Sequence, residues 1–461
     1  MPRPRTKPIT NPELAAVIRR TGATYAAFAQ QVNTVAAENG YVTRYNRGSV
    51  ANWLTGKTPT PRVIPFVVEA AARILGAPQL GSADLGWPDA GTAPPSPWAG
   101  DPATWLDHLG RCDMTDLDRR SILGAGVFTL TAAAIPAAAI PAEAVSSAEG
   151  TTPARAGAAD AARIKEMTEL FSDMDDRFGG GHARAAVAAY LSRHVVPMLR
   201  SASGPNRAAL FAAAAEMAYL AGWMASDAGV SGLAQKYYIQ SVRLAAESDD
   251  YRLKARTFRA MALQCVELGH PAHGRDIAEA AVRSLPTTAP PRLRSWCTAM
   301  RAEACAATGD TRTARGLLRI AERDLERATS SQSPDWSGSY YSHAALRHQT
   351  GTTLASAGDL APAEEHLTAS LIGRPDTQRR SRALIGTRLA TLQVRRDQPD
   401  AAAQTVKSIH GDLKMVESAR VDHELDRLRA GWSTARADPT VGQMDLAVAN
   451  ILQQRRKRGS A

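Results

Sequence analysis

The sequence predicts an all-α protein with two parts, a small helical bundle at the N-terminus and a superhelix of helix pairs behind it. Alanine is abundant in the 461 residues, and no stretch alternates with the period of two that a half-buried strand requires. A spaced series of helix–turn–helix units also runs through the C-terminal two thirds, which is typical of a superhelix.

Positive charge is concentrated at the N-terminus. Residues 1–76 hold ten Lys and Arg against three Glu, so they carry +7 of the net charge of +10. A basic module on a nearly neutral body indicates a polyanionic partner for that module.

Composition divides the chain into five regions. We expect a DNA-binding bundle over 1–86, a Pro/Gly-rich linker over 87–120, an apolar Ala-rich segment over 121–150, helical repeats over 155–436, and a C-terminal helix with a basic tail over 437–461.

The apolar segment invites a membrane interpretation. "DRRSILGAG", with its arginines at Arg119 and Arg120, resembles a twin-arginine export signal. Its internal position and its Pro136 and Pro141 disfavour that role, and a buried segment that docks the bundle on the repeats or pairs two subunits is the alternative. The four cysteines form no CxxC pair, so we expect a cytoplasmic protein without membrane attachment.

The helical region has a recurring unit of a helix end, a turn and a new helix with a small residue five positions later. Two closely packed antiparallel helices require such a small side chain where they cross, and the turn favours a residue tolerant of positive φ. Gln398 departs from this preference, so we expect a different turn there. The turn positions are Gly229, Gly269, Gly309, Gly358 and Gln398, and the small residues are Ala234, Gly274, Ala314, Ala363 and Ala403.

The units "GDTRTA" and "GDLAPA" resemble tetratricopeptide (TPR) repeats in their Gly-Asp turn and following alanine, although the spacing of 40 to 49 residues is longer. The resemblance implies about five degenerate repeats and a concave groove for a peptide, protein or small molecule.

The first region contains four short helices by pattern. Thr24 and Asn46 are expected N-caps, Gly56 and Gly76 are expected helix stops, and apolar positions recur at helical spacing. The expected inward residues are Leu14, Val17, Ile18, Phe28, Val32, Val35, Val50, Trp53 and Leu54.

"FAQQV" and "SVANWLTGKTPTPR" resemble the helix-turn-helix of the XRE (Cro/C1-type) family, with a connection between the second and third helices about eleven residues longer than in phage repressors. The resemblance implies a recognition helix in the DNA major groove. The implied base-reading residues are Arg47, Ser49 and Asn52, and the implied phosphate contacts are Arg44, Thr55, Lys57 and Arg62.

The sequence therefore favours a transcriptional regulator that binds double-stranded DNA as a homodimer, with the repeats sensing an unknown ligand. The alternative is a TPR interaction scaffold, with or without a membrane, whose helix-turn-helix does not read DNA. No nucleophile–base set indicates an enzyme. Cys265, His270, His273, Cys297 and Cys305 fit no zinc spacing, so neither metal nor cofactor is expected.

Overall fold

The computed structural model describes residues 8–39, 41–77, 80–87, 96–114, 127–133, 135, 157–328 and 341–458. All regular secondary structure within these ranges is helical. The predicted all-α class is confirmed.

The N-terminal module contains four helices and has a core of its own. Val50, Trp53 and Leu54 pack inward with the predicted residues of the first two helices. Thr24 and Asn46 are N-caps as predicted, and Gly76 ends the fourth helix with φ of 59°. The helices are α1 (Pro12–Thr21), α2 (Tyr25–Glu38), α3 (Arg47–Leu54) and α4 (Ile64–Leu75), followed by a 3-10 turn at Ala83–Leu85.

Part of the predicted linker 87–120 is folded, contrary to expectation. Helix α5 (Pro102–Met114) buries Trp105, Leu106 and Leu109 in the main core. Its apolar residues recur at helical spacing, which the Pro/Gly-rich stretch ahead of it obscured. The next described helices are α6 (Leu130–Ala133), α7 (Ala158–Phe178), α8 (Gly180–Tyr190) and, after a π-helical turn at Leu191–Val195, α9 (Val196–Ser201).

Five helix pairs follow, each joined by a short turn, which makes the two helices of a pair antiparallel neighbours. They form a repeat-like superhelical array. The pairs are α10 (Arg207–Asp227) with α11 (Ser231–Glu247), α12 (Tyr251–Glu267) with α13 (Pro271–Arg283), α14 (Pro291–Ala307) with α15 (Thr311–Glu326), α16 (His343–Ser356) with α17 (Leu360–Ile372), and α18 (Arg379–Arg395) with α19 (Pro399–Ser408).

The turns of the first four pairs use a left-handed glycine, as predicted. In the fifth pair the left-handed residue is Asp397 at φ of 59°, one position before Gln398, so the expected departure is also confirmed. A β-carbon costs energy in this region, and Asp tolerates it better than most residues. The glycines are Gly229 (78°), Gly269 (84°), Gly309 (88°) and Gly358 (87°).

The small residues after the turns lie at helix crossings. Ala234, Ala314, Ala363 and Ala403 are fully buried. A β-carbon on Gly274 would stand 2.7 Å from the Val266 side chain of the preceding helix. The spacing therefore identified the points of closest helix approach.

The superhelix closes on itself through its last helices, α20 (His410–Met415), α21 (Ala419–Gly431) and α22 (Pro439–Arg458). The Glu417 amide donates to the Phe178 carbonyl at 2.7 Å, and the Ser418 hydroxyl donates to Asp227 at 2.8 Å. A β-carbon on Gly179 would lie 2.3 Å from the Glu417 carbonyl oxygen, so this glycine is needed where the ends meet.

The apolar segment 121–150 is described only at 127–133 and 135, and Arg119–Arg120 lie outside the described residues. Among the described helices, the stretch Gly204–Asp227 has the length and apolarity to cross a membrane, and 78% of its most apolar window is buried inside the protein.

Candidate functional site

Helix α3 presents the residues implied as DNA readers. Arg47 and Asn52 are exposed, while Ser49 is half-buried. Arg47 and Asn52 are five positions apart in the sequence, so they lie about 140° apart around the helix. By the same geometry Asn52 is nearly opposite the buried side with Val50, Trp53 and Leu54, whereas Arg47 is the first residue of the helix.

Two hydroxyls at the ends of α3 have local hydrogen bonds. The Ser49 oxygen accepts from the Asn46 amide at 3.3 Å, so its hydrogen remains available to a ligand. The Thr55 hydroxyl donates to the Asn52 carbonyl at 3.2 Å. A phosphate only accepts hydrogen bonds, so a contact with Thr55 would require this hydroxyl to turn away from the Asn52 carbonyl.

The remaining implied phosphate contacts surround α3 on its connecting segments. Arg44, Lys57 and Arg62 are all exposed. With Arg47 they place four cations around one short helix. The four side chains are exposed to solvent in the structure that includes the repeats, so the described repeats do not cover this surface.

The long connection ahead of α3 is held by one side chain of α2. The Asn33 amide donates to the Tyr45 carbonyl at 2.8 Å, and its oxygen accepts from the Tyr45 amide at 2.9 Å and from the Thr43 hydroxyl at 2.8 Å. The Tyr45 ring packs edge-on against Trp53 at 5.2 Å between centroids. The connection therefore has a defined path, and sequence reasoning did not identify Asn33 as its anchor.

The module is docked on the repeats by a buried ion-pair cluster that we call the latch, formed by Glu38, Glu69, Arg73 and His270. Arg73 lies 2.7 Å from both Glu38 and Glu69, and the His270 ring nitrogen lies 3.1 Å from Glu38. His270, imagined from sequence as a metal ligand, thus contacts a carboxylate of the N-terminal module.

Burial alone would raise the pKa of Glu38, but hydrogen bonds from His270 and Arg73 hold it below its ordinary value. Burial outweighs the effect of Arg73 at Glu69, whose pKa is raised. Arg73 thus pairs with two buried carboxylates whose pKa values shift in opposite directions.

Residues 127–133 lie between the two parts of the protein. The Phe128 amide donates to Asn39 at 2.8 Å, and the Phe128 ring stacks on His270 at 5.9 Å. The Thr129 amide donates to the side-chain oxygen of Gln235 at 3.0 Å, and the side-chain nitrogen of Gln235 donates to the Thr129 carbonyl at 2.7 Å. This piece of the apolar segment docks the module on the repeats, which was one of the two alternatives to membrane insertion.

A chamber lies inside the superhelix, lined by the first helix of each pair together with α7 and α21. We call it the inner chamber, and its cavity measures about 150 Å³. It adjoins a larger cavity of about 710 Å³ that extends to Glu38 of the latch. The lining includes Asp175, Asp176, Trp223, Arg259, Trp296, Glu303, Tyr341, His348, Gln349, Arg374, Arg380, Arg388 and Arg420.

Most arginines of the inner chamber are paired. Arg380 lies 3.1 Å from both Asp175 and Asp176. Arg388 lies 2.9 Å from Glu267 and 3.1 Å from Glu424. Sequence reasoning missed these two arginines, because their helix, Arg379–Arg395, carries five arginines and nothing local distinguishes the buried ones.

The cysteines considered as metal ligands are buried singly. Burial raises the pKa of Cys265 and of Cys297 to about 12 each. No group of three or more His, Cys, Asp or Glu side chains in the described part of the chain is arranged to hold a metal ion.

Comparison with known protein families finds a match at the N-terminal module. The family model of the SP15 N-terminal domain matches residues 14–88, which cover the four-helix module and the turn after it. No curated protein matches the chain.

Proposed function

We propose that the protein is a transcriptional regulator whose N-terminal module binds double-stranded DNA through α3. The observation that carries the proposal is the surface of α3. Its apolar side, with Val50, Trp53 and Leu54, is buried, while Arg47 and Asn52 are exposed. Arginine can bond bidentately to guanine and asparagine to adenine in the major groove.

The exposed cations around α3 support binding to a phosphate backbone. Arg44, Lys57 and Arg62 flank the helix and would position it without reading sequence. The basic charge of residues 1–76 adds long-range attraction to a polyanion.

The proposal includes a homodimer and a ligand for the repeats. A single short recognition helix binds weakly, whereas two linked helices on neighbouring half-sites gain from effective concentration. The latch ties the DNA-binding module to the repeats. A ligand that changes the conformation of the repeats would therefore change the relative placement of the two recognition helices of the dimer.

The first experiment measures binding of the full chain to random-sequence duplex DNA as a function of salt. The logarithm of the affinity should fall with the logarithm of salt concentration by about 0.9 for each phosphate contact. Lys57→Ala should reduce this slope by about 1. Arg319→Ala, which removes an exposed cation from α15, should leave the slope unchanged.

The second experiment selects bound sequences from a random duplex pool. Arg47→Ala should weaken binding to the selected site by about 1–3 kcal/mol and relax specificity at one base pair. Binding that is absent, or insensitive to salt and to both substitutions, would favour the interaction-scaffold alternative.

A further inference from the structure

One cation of the inner chamber has no partner. The Arg259 side chain belongs to a residue that is 7% exposed, and it makes no hydrogen bond or ion pair with the described part of the chain. Its guanidinium lies over the Trp296 ring, 4.6 Å from the centroid. A buried cation without a counter-charge is destabilising by several kcal/mol, so its presence calls for a reason.

The acids near Arg259 form no ion pair with it in the described part of the chain. The Glu303 carboxylate accepts from Gln349 at 2.9 Å, and burial raises the pKa of Glu303 against the opposing, smaller effect of the Arg259 charge. The other two carboxylates of the lining, Asp175 and Asp176, pair with Arg380. Arg388 and Arg420 of the lining pair with Glu267, and Arg388 also pairs with Glu424, so these two acids at the edge of the inner chamber are engaged with other arginines.

His348 adds a neutral polar group to the lining. Burial and the neighbouring Arg388 lower the pKa of His348 well below its ordinary value, so the ring is neutral at pH 7. An Arg388 nitrogen lies 3.2 Å from Nε2 of His348. Because arginine only donates, Nε2 accepts and the Nδ1 hydrogen is free to donate to an anion.

The walls and the volume set the size of the occupant. Trp296 and Tyr341 stack at 5.4 Å between centroids, and Trp296 also faces Arg259. A cavity of about 150 Å³ accepts a group the size of a benzene ring. The adjoining cavity shares Glu303 and Arg388 with it, so a larger ligand could continue outward.

We propose that the inner chamber binds a small organic anion, with its carboxylate or phosphate on Arg259 and its apolar body beside the stacked Trp296 and Tyr341 rings. This assignment rests on the proposed sensory role of the repeats and gives that ligand a chemical class. The larger cavity, which shares Glu303 and Arg388 with the inner chamber, reaches Glu38 of the latch, so it connects the two sites.

The experiment titrates the full chain, without DNA, with benzoate, benzamide, phenyl phosphate and inorganic phosphate in a calorimeter. Benzoate or phenyl phosphate should bind at least tenfold more tightly than neutral benzamide, and the stronger of the two identifies the anionic group. Equal binding of benzoate, phenyl phosphate and benzamide, or no binding of any probe at millimolar concentration, would overturn the proposal.

Two variants assign the binding to the inner chamber. Arg259→Gln should weaken anion binding at least tenfold, while Arg252→Gln, an exposed position on the same helix, should not. Trp296→Leu should weaken phenyl phosphate more than inorganic phosphate. Unchanged binding in Arg259→Gln would overturn the proposal.

The melting temperature of the protein without added ligand distinguishes a ligand-binding role of Arg259 from a structural role. Arg259→Gln removes an uncompensated buried charge, so the melting temperature should stay the same or rise. A clear fall would show that the guanidinium holds the fold and would overturn the proposal. Because no DNA is present, these outcomes are independent of whether the N-terminal module reads DNA.

Discussion

Removal of the Glu38 carboxylate should release the N-terminal module from the repeats. In Glu38→Ala the His270 ring loses its contact with Glu38, whereas Arg73 keeps Glu69 at 2.7 Å. The Glu38 contact that crosses from the module to the repeats is its hydrogen bond with His270, and a hydrogen bond to a charged group contributes about 1.5–3 kcal/mol. We therefore expect a loss of about 2 kcal/mol, which is roughly a thirtyfold change in the docking equilibrium.

Small-angle X-ray scattering and limited proteolysis measure this release directly. The radius of gyration of Glu38→Ala should increase, and cleavage between the module and the repeats should become faster, while the helix content stays constant. Glu13→Ala removes an exposed acid from the same module and serves as the control. Unchanged scattering and cleavage in Glu38→Ala would refute the latch.

The same contact gives the docking a pH dependence. The pKa of Glu38 is lowered in the folded protein, so its contribution is complete above the ordinary Glu pKa and is lost as the pH falls through the lowered value. Glu69 has a raised pKa and takes up its proton first, which leaves the contact of Glu38 with His270 intact. Docking followed by scattering should therefore be constant near neutral pH and weaken only in acid, below the ordinary pKa of Glu. Release between pH 6 and 8 would contradict this assignment.

Two further predictions concern packing and the path to α3. Gly274→Ala places a β-carbon 2.7 Å from the Val266 side chain and should lower the free energy of unfolding by about 1–3 kcal/mol. Its control, Gly316→Ala, places a β-carbon with nothing within 4 Å and should raise the free energy of unfolding by about 0.4–1 kcal/mol. Equal effects of the two substitutions in thermal unfolding would show that Gly274 is not at a close helix crossing. Asn33→Ala removes three hydrogen bonds to the connection and should cost about 2–3 kcal/mol. Its DNA affinity should also fall, because the start of α3 loosens. Gln30→Ala, an exposed change on the same helix, should match the wild type in both assays.

Features encoded within a few residues were predictable. The N-caps Thr24 and Asn46 act on amides two or three positions away, and the glycine turns depend on the φ of a single residue. Helix periodicity also identified the inward face of α3, since burial of Val50, Trp53 and Leu54 follows from their spacing. The linker prediction was wrong at Pro102–Met114, which is a helix, because the Pro/Gly-rich stretch before it obscured its helical spacing of apolar residues.

The sequence by itself determined the helices, their turns and the exposure of the residues around α3, because these depend on local chain conformation. Only the tertiary structure decided that the superhelix closes, that Glu38 contacts His270 across 232 residues, and that Arg259 is buried without an ion pair in the described part of the chain. The sequence pattern around a charged residue does not show whether solvent or another helix surrounds that residue. Its partner, and so its energy, is set by which distant segments the fold brings together.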